Sequence, residues 1–460
     1  MFSNLYNTFL NCFKIPELKS RILFTFGLLA LAQVLGFIHV PGINGAVLSS
    51  HLKQAEASGG ILGMYNTFAG GAFDRCAIDA LSIMPYISAT IILQLLTAVW
   101  PRLSKLAREE GGRTKIVQYG RYLTVLLCIG QAWLVNANGW WNQMYDNQHL
   151  VMVDYYNHAW FVLQTVVILT TGTMLLMWLG EQITERGIGN GVSLIITANI
   201  LSRMPAALHA AKNMFFPDSG DPTHSLLGTG ILLAVLLVVV VGGVIAITQA
   251  QRKIPVQYAS RMIGQKMYQG GTNYMPLRVN YAGVMPIIFA SSILMFPNQI
   301  LQWLAGHVSG TFMRDKIIAL ATALNYGSWL YLMIYALMIL FFSYFWVATQ
   351  FNEIQIADDL KKNGGYIPGV RPGTATSDYL HRAMSRITLA GAIFLTAIAT
   401  LPIILSKQLE IDQNVAQFFG GTSILISVGV LLDTMRQVES HLMMRHYDGF
   451  LKKGRIRGRF

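Results

Sequence analysis

Few residues of this chain are placed to do chemistry. Glu439, His441 and His446 come nearest to a metal-binding group. Their spacing matches no zincin pattern, so they are expected at the surface. Gly187-Ile188-Gly189-Asn190-Gly191 is glycine-rich enough to cradle a phosphate, but no strand leads into it. It predicts a tight turn entering a helix. No Walker A sequence is present, and the longest connection, about residues 349–386, is too short for a nucleotide-binding domain. Cys12, Cys76 and Cys128 are too few and too scattered for a disulfide framework or a zinc site. The residues therefore predict no catalytic site, no metal and no cofactor. Whatever drives the protein is expected to dock from outside.

The elements that must position any function are apolar. Of 460 residues 53% are hydrophobic and 12% are charged, with a mean hydropathy of +0.45. The charged share is about half that of a soluble domain. So few charges cannot cover so much apolar surface in water, and lipid is the alternative solvent. Ten continuous apolar stretches are long enough for membrane helices: 22–40, 77–99, 119–138, 159–179, 188–208, 227–247, 281–301, 327–348, 387–405 and 419–438. Helices are favoured over strands because lipid offers no partner to an open sheet edge. The first stretch is kept as a span, because it is longer than a signal-peptide apolar run and no A-x-A-like site follows. Charges avoid the span centres. Asp79, Arg121, Asp433, Arg436 and Glu439 lie near ends, and Arg203 lies in the outer third of the fifth span. An ion-coupled transporter usually keeps such a group near the midplane.

The net charge of +12 is sorted by side. With the N-terminus in the cytoplasm, 27 of the 34 Lys and Arg residues fall in inside segments, and both termini are cytoplasmic. These basic loops are too long and too charged to be mere connectors. The densest run, Leu451 to Arg459, suits either anionic lipid heads or an acidic partner such as ribosomal RNA. On the other side, residues 61–73 form an apolar run too short to span, carrying Gly70-Gly71. They predict either a re-entrant segment or plug, or an amphipathic surface turn. Five spans precede about residue 225 and five follow it. With an odd count per half, similar halves would enter the membrane from opposite sides, an arrangement common in transport proteins.

Longer stretches carry a family likeness. IPELKSRILF (15–24), MYNTFAGGAFDRCAI (64–78), IMPYISATIILQLLT (83–97), GEQITERGIGNGVSLII (180–196), RKIPVQYASR (252–261), PLRVNYAGVMPIIFASSIL (276–294), GGYIPGVRPG (364–373), RITLAGAIFL (386–395), FFGGTSILI (418–426) and LMMRHYDGFLKKGRIRGR (442–459) resemble, in order, the SecY family. Its members are pore subunits of the bacterial protein-translocation channel. One departure stands out. The family usually has Pro after Phe-Asn in the fifth cytoplasmic loop, and here Glu353 follows Asn352, which predicts a looser turn.

The resemblance implies an all-α polytopic membrane protein of the bacterial plasma (inner) membrane. Ten transmembrane helices would form two inverted five-helix halves, 1–225 and 226–440, around an hourglass pore, with 441–460 a basic cytoplasmic tail. By motif the ring at the waist falls on Ile83, Ile87, Val192, Ile196, Ile288 and Ile426. The plug, about 61–74, includes Met64, Tyr65, Asn66, Phe68, Gly70 and Gly71. The lateral gate falls on Ser88, Gln94, Ser291 and Ser292, and docking on Arg252, Lys253, Lys361, Lys362 and Arg371. Implied partners are the SecE and SecG subunits, the SecA ATPase, the ribosome with its RNA, preproteins bearing signal sequences, and membrane lipid.

The residues alone say less. Ile83 with Ile87, and Val192 with Ile196, are i,i+4 pairs that each share a helix face, a pattern ordinary packing also produces. The gate serines would equally serve as helix–helix contacts, and the loop arginines as topology signals. Two rival functions remain at this level: a secondary transporter for a small solute, and a membrane enzyme acting on lipid. Absence of midplane charge counts against the first, and absence of a clustered acid, base or nucleophile against the second.

Overall fold

The structure, a computed structural model, describes residues 15–43, 66, 68–109, 111–137, 144–145, 148–149, 159–215, 227–258, 261–263, 266–268, 271–308, 311–325, 327–408 and 422–453. Its elements in chain order are α1 Pro16–Leu35, α2 Met84–Val99, α3 Pro101–Arg108, α4 Gly112–Ala137, β1 Met144–Tyr145, β2 Gln148–His149, α5 Ala159–Arg186, α6 Gly191–Ser202, α7 Met204–Phe215, α8 Leu227–Gln249, β3 Gln251–Tyr258, β4 Arg261–Ile263, β5 Lys266–Tyr268, β6 Thr272–Arg278, α9 Met285–His307, α10 Thr311–Ala323, α11 Trp329–Gln350, α12 Glu353–Lys362, β7 Gly365–Tyr366, α13 Thr374–Gln408 and α14 Thr422–Lys453.

Among the described residues six helices are long and apolar enough to cross a membrane: Pro16–Leu35, Ala159–Arg186, Gly191–His209, Gly230–Gln249, Trp329–Lys362 and Thr374–Leu401. A seventh candidate is the pair α2 and α3, bent by 103° at Trp100-Pro101. A proline at the start of a helix cannot extend the preceding hydrogen-bond ladder, so a new helix begins there. The three remaining apolar stretches, 119–138, 281–301 and 419–438, overlap α4, α9 and α14, with residues 138 and 419–421 outside the described ones.

Hydroxyl groups in these helices are satisfied locally. Thr124, Thr165, Thr197, Ser343 and Thr396 each donate to the carbonyl four residues back. Such bonds give these five hydroxyl donors a partner within their own helix, where lipid supplies none.

The chain divides into two compact units: Met1–Ser219 with Gln302–Arg314 and Ile426–Phe460, and Gly220–Leu301 with Asp315–Leu425. In the first, α5 packs against α1, α4 and α6, and α2 packs against α4. In the second, α11 and α12 pack against α13.

The all-α expectation needs correction in the second unit, where β6, β3 and β7 form an antiparallel three-stranded sheet. The cause is legible in Arg252-Lys253-Ile254-Pro255-Val256-Gln257-Tyr258, where the apolar residues alternate. Ile254 and Val256 are buried, while Arg252, Lys253, Pro255 and Tyr258 are exposed. Their buried face joins Leu277, Val347, Phe351, Ile367, Leu380 and Met384 in one apolar cluster, which seats the sheet on the ends of α11 and α13.

The turn at Glu353 is not loosened. Asn352 caps α12 by accepting from the Gln355 N–H at 3.2 Å, and the Glu353 carboxylate meets His381 Nδ1 at 2.9 Å. An acid in the first turn and lysines in the last turn (Lys361, Lys362) both oppose the helix dipole favourably.

Candidate functional site

The site is built from the start of α2, from α6, and from the segment before α2. Ile83 precedes α2 and Ile87 lies in its first turn; both are buried. On α6, Val192 is half-buried and lies over Gly180 of α5, while Ile196 is buried. Ile426, on α14 in the same unit, is fully buried. Ile288 belongs to α9 in the second unit and is buried there.

Positions 192, 196, 199 and 203 recur at helical spacing, so they form one stripe of α6 and its C-cap. The stripe begins with aliphatic side chains and ends with Asn199 and Arg203. The segment that packs on its polar end is the one the sequence marks as a plug. Of its expected residues, Met64 and Tyr65 lie outside the described ones. Asn66, Phe68, Gly70 and Gly71 are all buried. Gly70 and Gly71 have φ of 65° and 81°, a left-handed pair suited to glycine. A side chain at Gly70 would stand 3.2 Å from the Asn199 Cα, so the turn lies directly against α6.

One atom ties the parts together. The Phe68 carbonyl accepts from Asn199 Nδ2 at 3.1 Å and from Ser82 Oγ at 3.1 Å. Asn199 follows Ile196 by one helical turn, and Ser82 immediately precedes Ile83. The segment before α2 is thus fastened to both elements that carry the isoleucine pairs. Cys76 and Ser82, which bracket the passage into α2, hold positive φ of 49° and 53°. For a non-glycine residue that conformation costs about 1–2 kcal/mol.

The Gly187–Gly191 cluster is a turn, as its composition predicts, and its role is to seat α6. The Ile188 N–H donates to Thr25 Oγ1 of α1 at 3.1 Å, and the Gly189 N–H to Gln437 Oε1 of α14 at 2.9 Å. The Gly191 N–H donates to Thr184 Oγ1 of α5 at 2.9 Å, and Asn190 caps α6 through the Ser193 N–H. Thr25 is buried, so Thr25→Val leaves the Ile188 N–H without its acceptor at nearly constant volume. The expected loss is about 1–3 kcal/mol. Thermal unfolding of the purified protein measures it, with Thr25→Ser as the variant that keeps the acceptor. Equal melting temperatures for the valine and serine variants would remove the clasp.

The gate serines turn to their own helices. Ser88 Oγ donates to the Met84 carbonyl at 3.0 Å, and Ser291 and Ser292 donate to the Ile288 carbonyl at 2.9 and 2.7 Å. All three are buried and Gln94 is exposed. The docking candidates Arg252, Lys253, Lys361, Lys362 and Arg371 are all exposed. Pairing of Gln257 with Tyr366 and of Tyr258 with Gly365 joins the strand of Arg252 and Lys253 to the strand between Lys362 and Arg371. The two basic loops are therefore one sheet-linked module. The Arg371 turn is stiffened where Thr376 Oγ1 donates to the Arg371 carbonyl at 2.9 Å.

Comparison with known proteins decides the family. The SecY family model matches residues 77–435. A protein translocase subunit SecY of Chlamydia trachomatis serovar D is 44% identical over 455 residues, covering 97% of this chain and 98% of the relative. The chain belongs to the SecY family. Its fold is shared with a solved protein-conducting channel, at TM-score 0.58 and 17% identity over 95% of this chain and 94% of that one. The Sec61 chain of a canine ribosome–channel complex from the endoplasmic reticulum has a TM-score of 0.56 at 16% identity, over 95% and 94%.

Every ring, gate and docking candidate lies within the stretch matched to the SecY model. The SecY likeness did not supply Ser82, Asp74, Asn199, Arg203, Thr25 or Gln437. The one available signal was Arg203, a charge inside an apolar span, which calls for a named partner. That partner is Asp74, whose Oδ2 lies 3.2 Å from Arg203 Nη2.

Proposed function

We propose that this protein is a protein-conducting channel of the bacterial inner membrane. It passes unfolded secretory polypeptides across the bilayer and releases signal sequences and transmembrane helices sideways into lipid. The observation that carries the reading, beside SecY membership, is the Phe68 carbonyl held from both isoleucine-bearing elements. A buried, small-residue segment fastened there by neutral hydrogen bonds is a removable stopper, not a substrate site.

In this reading ten spans form two inverted halves, 1–225 and 226–440, around an hourglass pore with both termini cytoplasmic. Ile83, Ile87, Val192, Ile196, Ile288 and Ile426 form the waist. Aliphatic walls offer water and ions no hydrogen bonds, so a narrow waist dewets, and they offer a passing polypeptide nothing sticky. Ser88, Gln94, Ser291 and Ser292 line the lateral gate. The sheet-linked basic module, through Arg252, Lys253, Lys361, Lys362 and Arg371, receives the SecA motor or the ribosome, and SecE and SecG complete the assembly. The chain performs no chemistry itself. Sorting follows from solvent choice: a segment of some 20 Leu-like residues gains about 6–12 kcal/mol in the membrane, and one central Lys or Asp costs about 2.5–3.5.

Reconstitution tests the reading. Proteoliposomes holding the protein with SecE, SecG, SecA and ATP should protect an added preprotein from protease. Ion-coupled uptake of small solutes, with no preprotein protected, would overturn it.

A further inference from the structure

We propose that Asp74, Arg203 and Asn199 form a polar latch that sets how readily the outer segment leaves the waist, and hence how strong a signal sequence must be to open the channel. The inference rests on the channel reading above and adds to it the residues that set the threshold.

Three contacts make the latch. Arg203, at the break between α6 and α7, pairs with Asp74 at 3.2 Å. Asn199 holds the Phe68 carbonyl and is itself oriented by Gln33 Nε2 of α1, which donates to Asn199 Oδ1 at 2.7 Å. Ser202 Oγ reaches the Gly70 carbonyl at 3.4 Å. The segment is also braced from within. Asn66 Nδ2 donates to the same Asp74 oxygen that Arg203 holds, and Asn66 Oδ1 accepts from the Asp74 N–H at 3.3 Å. Arg75 folds back onto the Gly70 and Gly71 carbonyls at 2.8 and 3.0 Å and lies over the Phe37 ring at 4.4 Å. The segment can therefore move as one body, and directional polar contacts help tie that body to α6.

The chemistry suits release. The Asp74 and Arg203 side chains are 13% and 20% exposed, which leaves water access to the pair. Such a pair is weaker than a fully buried one and is screened by salt. Apolar packing of the buried Phe68, Ala69, Ala72 and Phe73 holds the segment without directional preference. The ion pair and the Asn199 bond add to it a fixed register, and they break in discrete steps. The left-handed residues Cys76 and Ser82, at either end of the passage into α2, oppose the latch by strain that release relieves.

The test uses the full chain with its partner subunits in planar bilayers and in proteoliposomes. Asp74→Asn and Arg203→Gln should each raise the resting open fraction about tenfold, equivalent to about 1.4 kcal/mol. Both should also pass a preprotein whose signal has a shortened apolar run. The swap Asp74→Arg with Arg203→Asp should return both readouts towards the parent. In the parent itself, raising salt should raise the resting open fraction. Single variants with parental conductance and selectivity, a swap as leaky as the singles, or a salt-independent parent each overturn the latch. Failure of the parent to translocate a preprotein with an intact signal overturns the channel reading instead.

Discussion

Replacing Arg371 by glutamate is expected to lower motor-driven export at least about thirtyfold while the protein still inserts and folds. The magnitude follows from reversing a charge in a contact between complementary surfaces, where loss of one partner costs about 2–5 kcal/mol and each 1.4 is tenfold. The separation of docking from folding follows from the structure. Arg371 is exposed, and the stiffness of its turn comes from the bond between Thr376 Oγ1 and the Arg371 carbonyl, which a side-chain change leaves in place. The buried residues beneath, Ile254, Val256, Ile367 and Leu380, are untouched. Because β7 pairs with β3, the charge at Arg371 belongs to the same module as Arg252 and Lys253. The measurement is the rate of protease protection of a preprotein with SecA and ATP, compared at equal amounts of inserted protein. Export by the Arg371→Glu variant at the parental rate removes Arg371 from the docking surface.

The spans were legible because lipid enforces them: a chain crossing hydrocarbon must present about 20 apolar residues in a row. The sheet was harder to read. Its strands alternate over few residues and β7 is only two residues long, so Lys253-Ile254-Pro255-Val256 reads as a basic loop. The ring isoleucines could be placed on faces by their i,i+4 spacing, but nothing in an isoleucine separates a pore wall from ordinary packing. The latch was out of reach for another reason. Arg203 and Asp74 are 129 positions apart, and Gln33 and Asn199 are 166 apart. Each residue taken singly looks like a stray polar group near a span end. Only the fold brings Gln33, Asn199, Ser82 and the Phe68 carbonyl to one place. Thr25 was equally silent. It looks like any threonine on an apolar helix until the Ile188 N–H is found to depend on it.

Ile87→Asn and Ile196→Asn are expected to raise resting ion conductance between about tenfold and a hundredfold and to relax the demand for a strong signal sequence. Both isoleucines are buried, so an amide there sits dry in the closed channel. An unpaired amide in an apolar site costs about 1–3 kcal/mol, and that cost disappears when the waist fills with water. The closed state is destabilised by that difference, and the wetted one is not. Leucine at either position keeps the wall apolar and should leave conductance near the parental value. The ring and the outer segment should also fail to act independently. Ile196 lies on the same α6 stripe as Asn199, about 4.5 Å away along the axis. Residues this close, sharing a two-state element, couple when both are changed. If the ring and the segment are coupled through α6, Ile196→Asn combined with Asn199→Ala will conduct less than the product of the two single effects. If the two sites act independently, the effects will multiply. Unchanged conductance and signal selectivity in both asparagine variants would leave these isoleucines as packing residues.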